Sequence, residues 1–320
     1  MTVEPLEAAA VTPGEPPSDA PRRRRRARID ERGVVSDVER ARGPIRWSLR
    51  GVHGLLLAFL VVVGLGPLLW LAKASVSTTQ DTLRQPMALW PSGVDLENLS
   101  VAWNDAQISH YFMNTIELAI GSWLVQIVVA VTGGYVLAIL RPWYGRLVTG
   151  LVLATLFVPP VVLLVPLFVT VLDLPIVGGS LLNSYWGVWL PSGASAFNVL
   201  LMKRFFENLP RELIEAARVD GAGPFRLLWS IVLPLSRPII GVVSIFAVLT
   251  SWKDFLWPLV VLPEPTRQPL SVRLPTVRDT LPLDVFLAAL LISTIVPVVL
   301  FLVTQRFILK GAGLSGAIKG

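Results

Sequence analysis

Leu209-Pro-Arg-Glu-Leu-Ile-Glu-Ala-Ala-Arg-Val-Asp-Gly-Ala222 is a polar stretch set between long, nearly uncharged apolar ones. Pro210 suits the first turn of a helix, where its missing N–H costs nothing. Glu212 and Glu215 lie toward the N-terminal end, which the helix dipole makes favourable for negative charge. Gly221 stops the helix and Pro224 blocks its extension. The spacing predicts a helix of about three turns, with Leu213, Ala216 and Ala217 on one side. Two alanines let a partner's backbone approach closely, and charges flank the contact. This is the pattern of a docking knob; the bland alternative is an ordinary amphipathic helix between two spans.

What surrounds the stretch decides the class. The 320 residues are 53% hydrophobic and only 16% charged, against about 25% charged in soluble domains. Mean hydropathy is +0.64. Apolar runs near the length of a bilayer crossing recur along the chain, so the expected class is an all-α polytopic membrane protein. The runs are continuous rather than alternating, which argues against a barrel. No cysteine is present, which excludes disulfides, thiol catalysis and Cys-ligated metals. His53 and His110 are too few for a histidine metal cluster, so no metal site is expected.

Taken in order, residues 1–50 form a cationic tail with Arg22 to Arg26 unbroken, expected to be disordered. Spans are expected at about 51–72, 111–140, 148–172, 183–202, 239–262 and 283–304. Ala72-Lys73-Ala74 resembles a leader-cleavage site, but the apolar run before it is long enough to span, so a retained helix is expected. Pro159, Pro160 and Pro166 interrupt the third span and predict a kink, from packing or from lining a pathway. The domain reading is a tail at 1–50, a six-helix transmembrane body at 51–306 with the polar segment 203–237 between spans four and five, and a tail at 307–320.

An even number of spans puts both ends on one side, and the positive-inside rule chooses it. With residues 1–50, the 141–146 loop, segment 203–237 and residues 305–320 in the cytoplasm, only Lys73, Arg84, Lys253, Arg267, Arg273 and Arg278 of the 28 Lys and Arg fall elsewhere. The net charge of +6 therefore tracks topology and membrane lipid, and no nucleic-acid partner is expected.

The ordered series Glu215-Ala216-Ala217, Asp220-Gly221-Ala222 and Leu233-Pro234 resembles the EAA loop of permease subunits in bacterial ABC importers. In that family the loop is a coupling helix that docks in a cytoplasmic ATPase subunit. The resemblance assigns coupling to Glu212, Leu213, Glu215, Ala216, Ala217, Asp220, Gly221 and Ala222. From Phe197-Asn198 and Phe205-Phe206 through Trp252-Lys253-Asp254-Phe255 and Trp257-Pro258 the chain resembles the carbohydrate-uptake branch, the maltose-type second subunit. It implies a bacterial cell-membrane protein with both termini cytoplasmic. Its partners would be a second permease, two ATPase subunits and an extracytoplasmic sugar-binding protein. The similar ending Gly316-Ala317-Ile318-Lys319-Gly320 implies a tail that reaches the ATPase pair. The chain itself needs no cofactor; ATP and Mg²⁺ would belong to the partner ATPase, since no Gly-x-x-x-x-Gly-Lys-Ser/Thr loop occurs.

Trp252, Lys253, Asp254 and Trp257 are read as the substrate path, because charges within a span usually face a cavity or a partner. Adjacent helical residues diverge by about 100°, so Lys253 and Asp254 are not expected to pair with each other. The family usually has Asn at Lys253, which leaves the solute open toward an acidic or phosphorylated sugar. The alternative is a Lys253 that snorkels to the outer surface and tryptophans that act as interfacial anchors. Two rival functions remain: a permease for a polyamine or a glycerol phosphate ester, and an autonomous secondary transporter. The absence of His-Glu-x-x-His and of any Ser-His-Asp pattern argues against an embedded enzyme.

Overall fold

The computed structural model describes residues 43–313, with side chains from 50 to 305. Every regular element among them is helical. The cationic stretch 22–28 and Gly316, Ala317, Ile318, Lys319 and Gly320 lie outside the described residues. The chain divides into two units, Met1–Gly64 and Leu65–Gly320. Of the first, the described part belongs to helix α1, Gly43–Ser75. This helix starts earlier than the expected residue 51, because Pro44 falls in its first turn, where proline is tolerated.

The second unit is built around α2, Ile108–Tyr135, which runs on through a wide π turn at Val136–Leu140. Its residues enter each of three apolar clusters. Ile108 and Tyr111 pack with Leu274 and Ala288. Leu118 packs with Val188 and Val261. Ala130, Val131, Tyr135 and Ala138 pack with Met202 and Phe206.

Three expected spans, the third, fourth and fifth, are broken rather than continuous. Helices α3, Gly145–Thr155, and α4, Leu164–Leu172, belong to a pair bent by 102°. The tandem prolines explain the size of the bend. Pro160 disfavours helical backbone at the residue before it, and Pro159 is extended at φ −59°, ψ 131°. Pro166 lies in the first turn of α4, where it breaks no hydrogen bond. The expected fourth span is α5, Trp186–Ser192, followed by α6, Ala196–Glu207. Ser195 restarts the helix by accepting the Asn198 N–H at its hydroxyl, 3.4 Å away.

The polar segment forms α7, Arg211–Val219. A short helical run, Pro224–Leu235, follows and turns by 81° into α8, Arg237–Lys253. The expected fifth span, 239–262, is thus interrupted: Asp254 is extended (ψ 123°) before α9, Leu256–Val261. Helices α10, Leu270–Val277, and α11, Leu283–Gly313, complete the unit. Among the described residues, three helices are long and apolar enough to cross a membrane, or up to five if each bent pair is one crossing.

Close packing of α2 on α6 depends on Gly134. A Cβ there would stand 3.0 Å from both the Lys203 backbone nitrogen and the Met202 Cβ. Backbone cannot move aside as a flexible side chain can. Gly134→Leu is therefore expected to cost about 1–3 kcal/mol and to lower the thermal midpoint of the detergent-purified chain. Gly150→Leu, where an added Cβ meets nothing within 4 Å, should leave the midpoint unchanged.

Candidate functional site

Helix α7 starts at Arg211, with Pro210 as its N-cap residue rather than inside its first turn. Glu212 lies in the first turn and Arg218 in the last, each at the end that the helix dipole favours. Its stop is fully specified by Asp220-Gly221-Ala222. Gly221 adopts φ +78°, a conformation that a side chain would strain. Its N–H donates to the Arg218 carbonyl at 3.0 Å, and the Ala222 N–H reaches back to the Ala217 carbonyl at 2.9 Å. These two bonds form a Schellman stop. Ala222 packs on the cluster that contains Ala217, which adds the apolar contact such stops carry.

The helix separates two faces. Ile214 and Ala217 are buried, each 8% exposed, against α2 and α6. Leu213, Ala216 and Val219 are exposed, as are Glu212, Glu215 and Asp220. The expected outward trio of Leu213, Ala216 and Ala217 thus loses Ala217, which packs inward beside Ile214. Behind the helix lies a crevice of about 140 Å³ lined by Glu215, Arg218, Arg211, Arg141 and Glu207, among others. Lys203 donates to Glu207 at 2.6 Å. That hydrogen bond holds the Glu207 carboxyl below the usual carboxylate range, with burial opposing it and the Lys203, Arg204 and Arg141 charges assisting. Two bonds tie this segment to α2 and its wide turn. The Tyr135 hydroxyl donates to the Pro224 carbonyl at 2.8 Å. The Arg218 guanidinium donates to the Ile139 carbonyl at 3.3 Å.

The second feature is a cavity of about 350 Å³ with walls from α2, α4, α5, α6, α8 and α9. Its polar lining comprises Ser122, Gln126, Ser192, Ser195, Asn198, Thr250, Ser251 and Asp254, with Trp257, Phe197 and Phe246 among its apolar walls. The last two meet edge-on at 5.4 Å. Asn198 donates to the Gln126 side-chain oxygen at 2.8 Å. The Asn198 Oδ1 and Ser122 Oγ atoms are buried without a hydrogen-bond partner among the described residues. Such groups carry a desolvation cost until something bonds them. This chemistry suits a hydroxyl-bearing solute: amides and hydroxyls to bond, and an indole to stack.

The four expected path residues divide. Asp254 and Trp257 line the cavity, and Trp257 is fixed by its indole N–H donating to the Gly187 carbonyl at 3.1 Å. Lys253 is exposed and lines an adjoining cavity of about 430 Å³ that shares Leu167, Thr250, Asp254 and Trp257 with the first. It makes no ion pair with Asp254 among the described residues. Trp252 is a correction. It is 7% exposed, donates to the Ser293 carbonyl at 3.2 Å and meets Phe112 edge-on at 5.7 Å. Consecutive residues at the end of α8 point in different directions, so Trp252 packs against α11 and lines neither cavity.

Gln126, Asn198 and Ser122 were not singled out from the sequence as site residues. A search confined to charges passes over them. The signal was amide side chains well inside apolar runs, where each must find a partner or a cavity.

The comparisons with known proteins cover most of the chain. The diacetylchitobiose uptake system permease protein NgcG of Streptomyces coelicolor is 32% identical over 260 residues, 79% of this chain and 84% of that protein. The sn-glycerol-3-phosphate transport system permease protein UgpE of Escherichia coli O1:K1 is 30% identical over 275 residues, 83% and 96% of the two chains. The probable ABC transporter permease protein YurM of Bacillus subtilis is 29% identical over 280 residues, 86% and 91%. In fold the chain resembles a crystal structure of a bacterial ABC transporter involved in the import of the acidic polysaccharide alginate. That likeness has a TM-score of 0.71 at 24% identity and covers 81% of this chain and 95% of that one. The family model for the binding-protein-dependent transport system inner membrane component matches residues 130–311, a stretch that holds α7 and most of the cavity wall. The chain belongs to this family, the membrane-embedded permease components of ABC importers.

Proposed function

We propose that this chain is one of two permease subunits of a sugar importer, crossing the membrane six times with both ends in the cytoplasm. The 350 Å³ cavity is its part of the solute path. Helix α7 docks by its Leu213–Ala216 face in a cytoplasmic ATPase subunit, and an external binding protein delivers the solute. One observation carries this reading: α2 bears Gln126 and Ser122 in the cavity wall and, about two turns further on, the Tyr135 tie to the docking segment.

The mechanism follows from that shared helix. A partner can drive this chain only if the docking contact differs in free energy between two states. Closure of an ATPase pair displaces α7. The Tyr135 and Arg218 bonds pass the displacement to α2, and the cavity wall moves with it. Solute is then released from or offered to Asn198, Gln126 and Asp254. The chain has no phosphate loop, so hydrolysis belongs to the partner. The polar, uncharged character of most of the cavity supports a sugar. The relative named for diacetylchitobiose uptake agrees with that choice. An acidic or phosphorylated solute is the second reading, favoured by Lys253 on the adjoining cavity wall.

The test is ATP hydrolysis by the co-purified complex in lipid, with a binding protein loaded with neutral sugars, uronic oligosaccharides or sn-glycerol 3-phosphate. One solute class should stimulate the wild type. Glu215→Ala should lower that stimulation by roughly tenfold or more, as loss of a charge-assisted contact of about 1.5–3 kcal/mol predicts. If no ATPase co-purifies and transport by Glu215→Ala is intact and driven by an ion gradient, the chain is an autonomous transporter.

A further inference from the structure

The end of α2 carries a second site, apart from the docking face and the solute cavity. A cleft of about 720 Å³ is lined by Arg141, Trp143, Arg146, Thr149, Lys203 and Glu207, among others. Arg141 takes a left-handed backbone at φ +50°, and its Nε donates to the Ala138 carbonyl at 2.8 Å. This bond anchors the root of the guanidinium and leaves its two terminal nitrogens without a hydrogen-bond partner among the described residues. Arg146 has no hydrogen bond or ion pair among the described residues. Lys203 and Glu207 neutralise each other at 2.6 Å. The cleft therefore carries two net positive charges.

Its surroundings are those of a membrane surface. Trp143 is 93% exposed and stands at the start of an apolar helix, the position where indoles mark the headgroup level. On α3, Leu153 is exposed by 48%. It lies one turn beyond Thr149 and two turns beyond Arg146, on the cleft side of the helix, and opens a track for a hydrocarbon chain leading away from the cationic cleft. A free anion would use the charges but not this apolar track.

We propose that the cleft binds the headgroup phosphate of an anionic phospholipid, with Arg141 and Arg146 on the phosphate, the Trp143 indole at the headgroup level and an acyl chain running past Leu153. Arg141 and Glu207 also line the crevice behind α7, so the bound lipid adjoins the docking segment. The inference rests on the proposed placement of 141–146 at the cytoplasmic leaflet.

The experiment is native mass spectrometry of the delipidated full complex titrated with phosphatidylglycerol or phosphatidylcholine. Wild type should retain phosphatidylglycerol preferentially. Arg146→Gln should weaken that binding several-fold, and Arg141→Gln with Arg146→Gln roughly tenfold or more, since each cation near an anionic surface contributes about 1 kcal/mol. Phosphatidylcholine binding should not change. Because Arg146 has no internal partner, its single variant reports binding even if the double variant folds poorly. Equal phosphatidylglycerol binding by wild type and Arg146→Gln overturns the proposal. So does displacement by millimolar inorganic phosphate, which assigns a free anion. Binding to the chain alone but not to the complex also overturns it and assigns a protein partner. The chain has no native cysteine, so labelling of Tyr144→Cys from either side tests the topology separately. External labelling would overturn the topology without reference to the lipid readout.

Discussion

Ala216→Trp is expected to abolish solute-stimulated ATP hydrolysis in the assembled complex and to release the ATPase subunit during purification. The thermal midpoint of the isolated chain should hardly move. Ala216 is exposed on α7, on the same side as Leu213, so an indole there meets nothing of its own chain and obstructs whatever docks. Ala217→Trp is the opposite experiment. Ala217 is 8% exposed and packed with Ile214 in the cluster of α2 and α6. Overpacking there is expected to cost about 3 kcal/mol and to lower the midpoint before any coupling is measured. If Ala216→Trp keeps full stoichiometry and stimulation, the outward face of α7 is not the docking face, and the Glu215→Ala effect needs another explanation.

The second large effect is expected at Asn198. Asn198→Leu removes the donor to Gln126 and leaves a buried amide without its partner, a loss of about 1–3 kcal/mol. Transport should fall by roughly tenfold or more, because the variant also removes an amide from the cavity wall. Replacing both partners separates the two causes. Gln126→Leu combined with Asn198→Leu leaves no orphaned amide of this pair, so the double variant should regain most of the stability and none of the transport. Recovery of transport along with stability would make the pair a structural clasp, and the cavity would lose its role as the solute path.

Much of this arrangement was legible in the residues themselves. Around 209–222 the local rules agree: a proline at the start, acids early, and a glycine whose left-handed backbone only the C-terminal position of a helix requires. The helix is therefore found where periodicity puts it. What hydropathy could not give was the continuity of the spans. An apolar run scores the same whether its backbone is one helix or two, and only Pro159-Pro160 and the extended Asp254 decide that. Trp252 illustrates a different limit. Three expected path residues in a row, 252–254, cannot all face one cavity, and the sequence does not say which of them turns away. Ala217 failed for a similar reason: it borders both faces of α7, and the identity of the inward side depends on where α2 and α6 run.

The two bonds that tie the docking segment to α2 also count degrees of freedom. A single anchor at Pro224 would leave the segment free to pivot about that point. The second, from Arg218 to Ile139, lies about one turn further along the same helix. Together they leave rotation only about the line that joins them, and the packing of Ile214 and Ala217 against α2 and α6 resists that. The docking segment and α2 are thereby one kinematic link, and whatever joint the transporter uses must lie elsewhere. The broken backbones at 156–159, 193–195 and 254–255 are the places where the chain can bend without sacrificing an intact helical hydrogen-bond ladder.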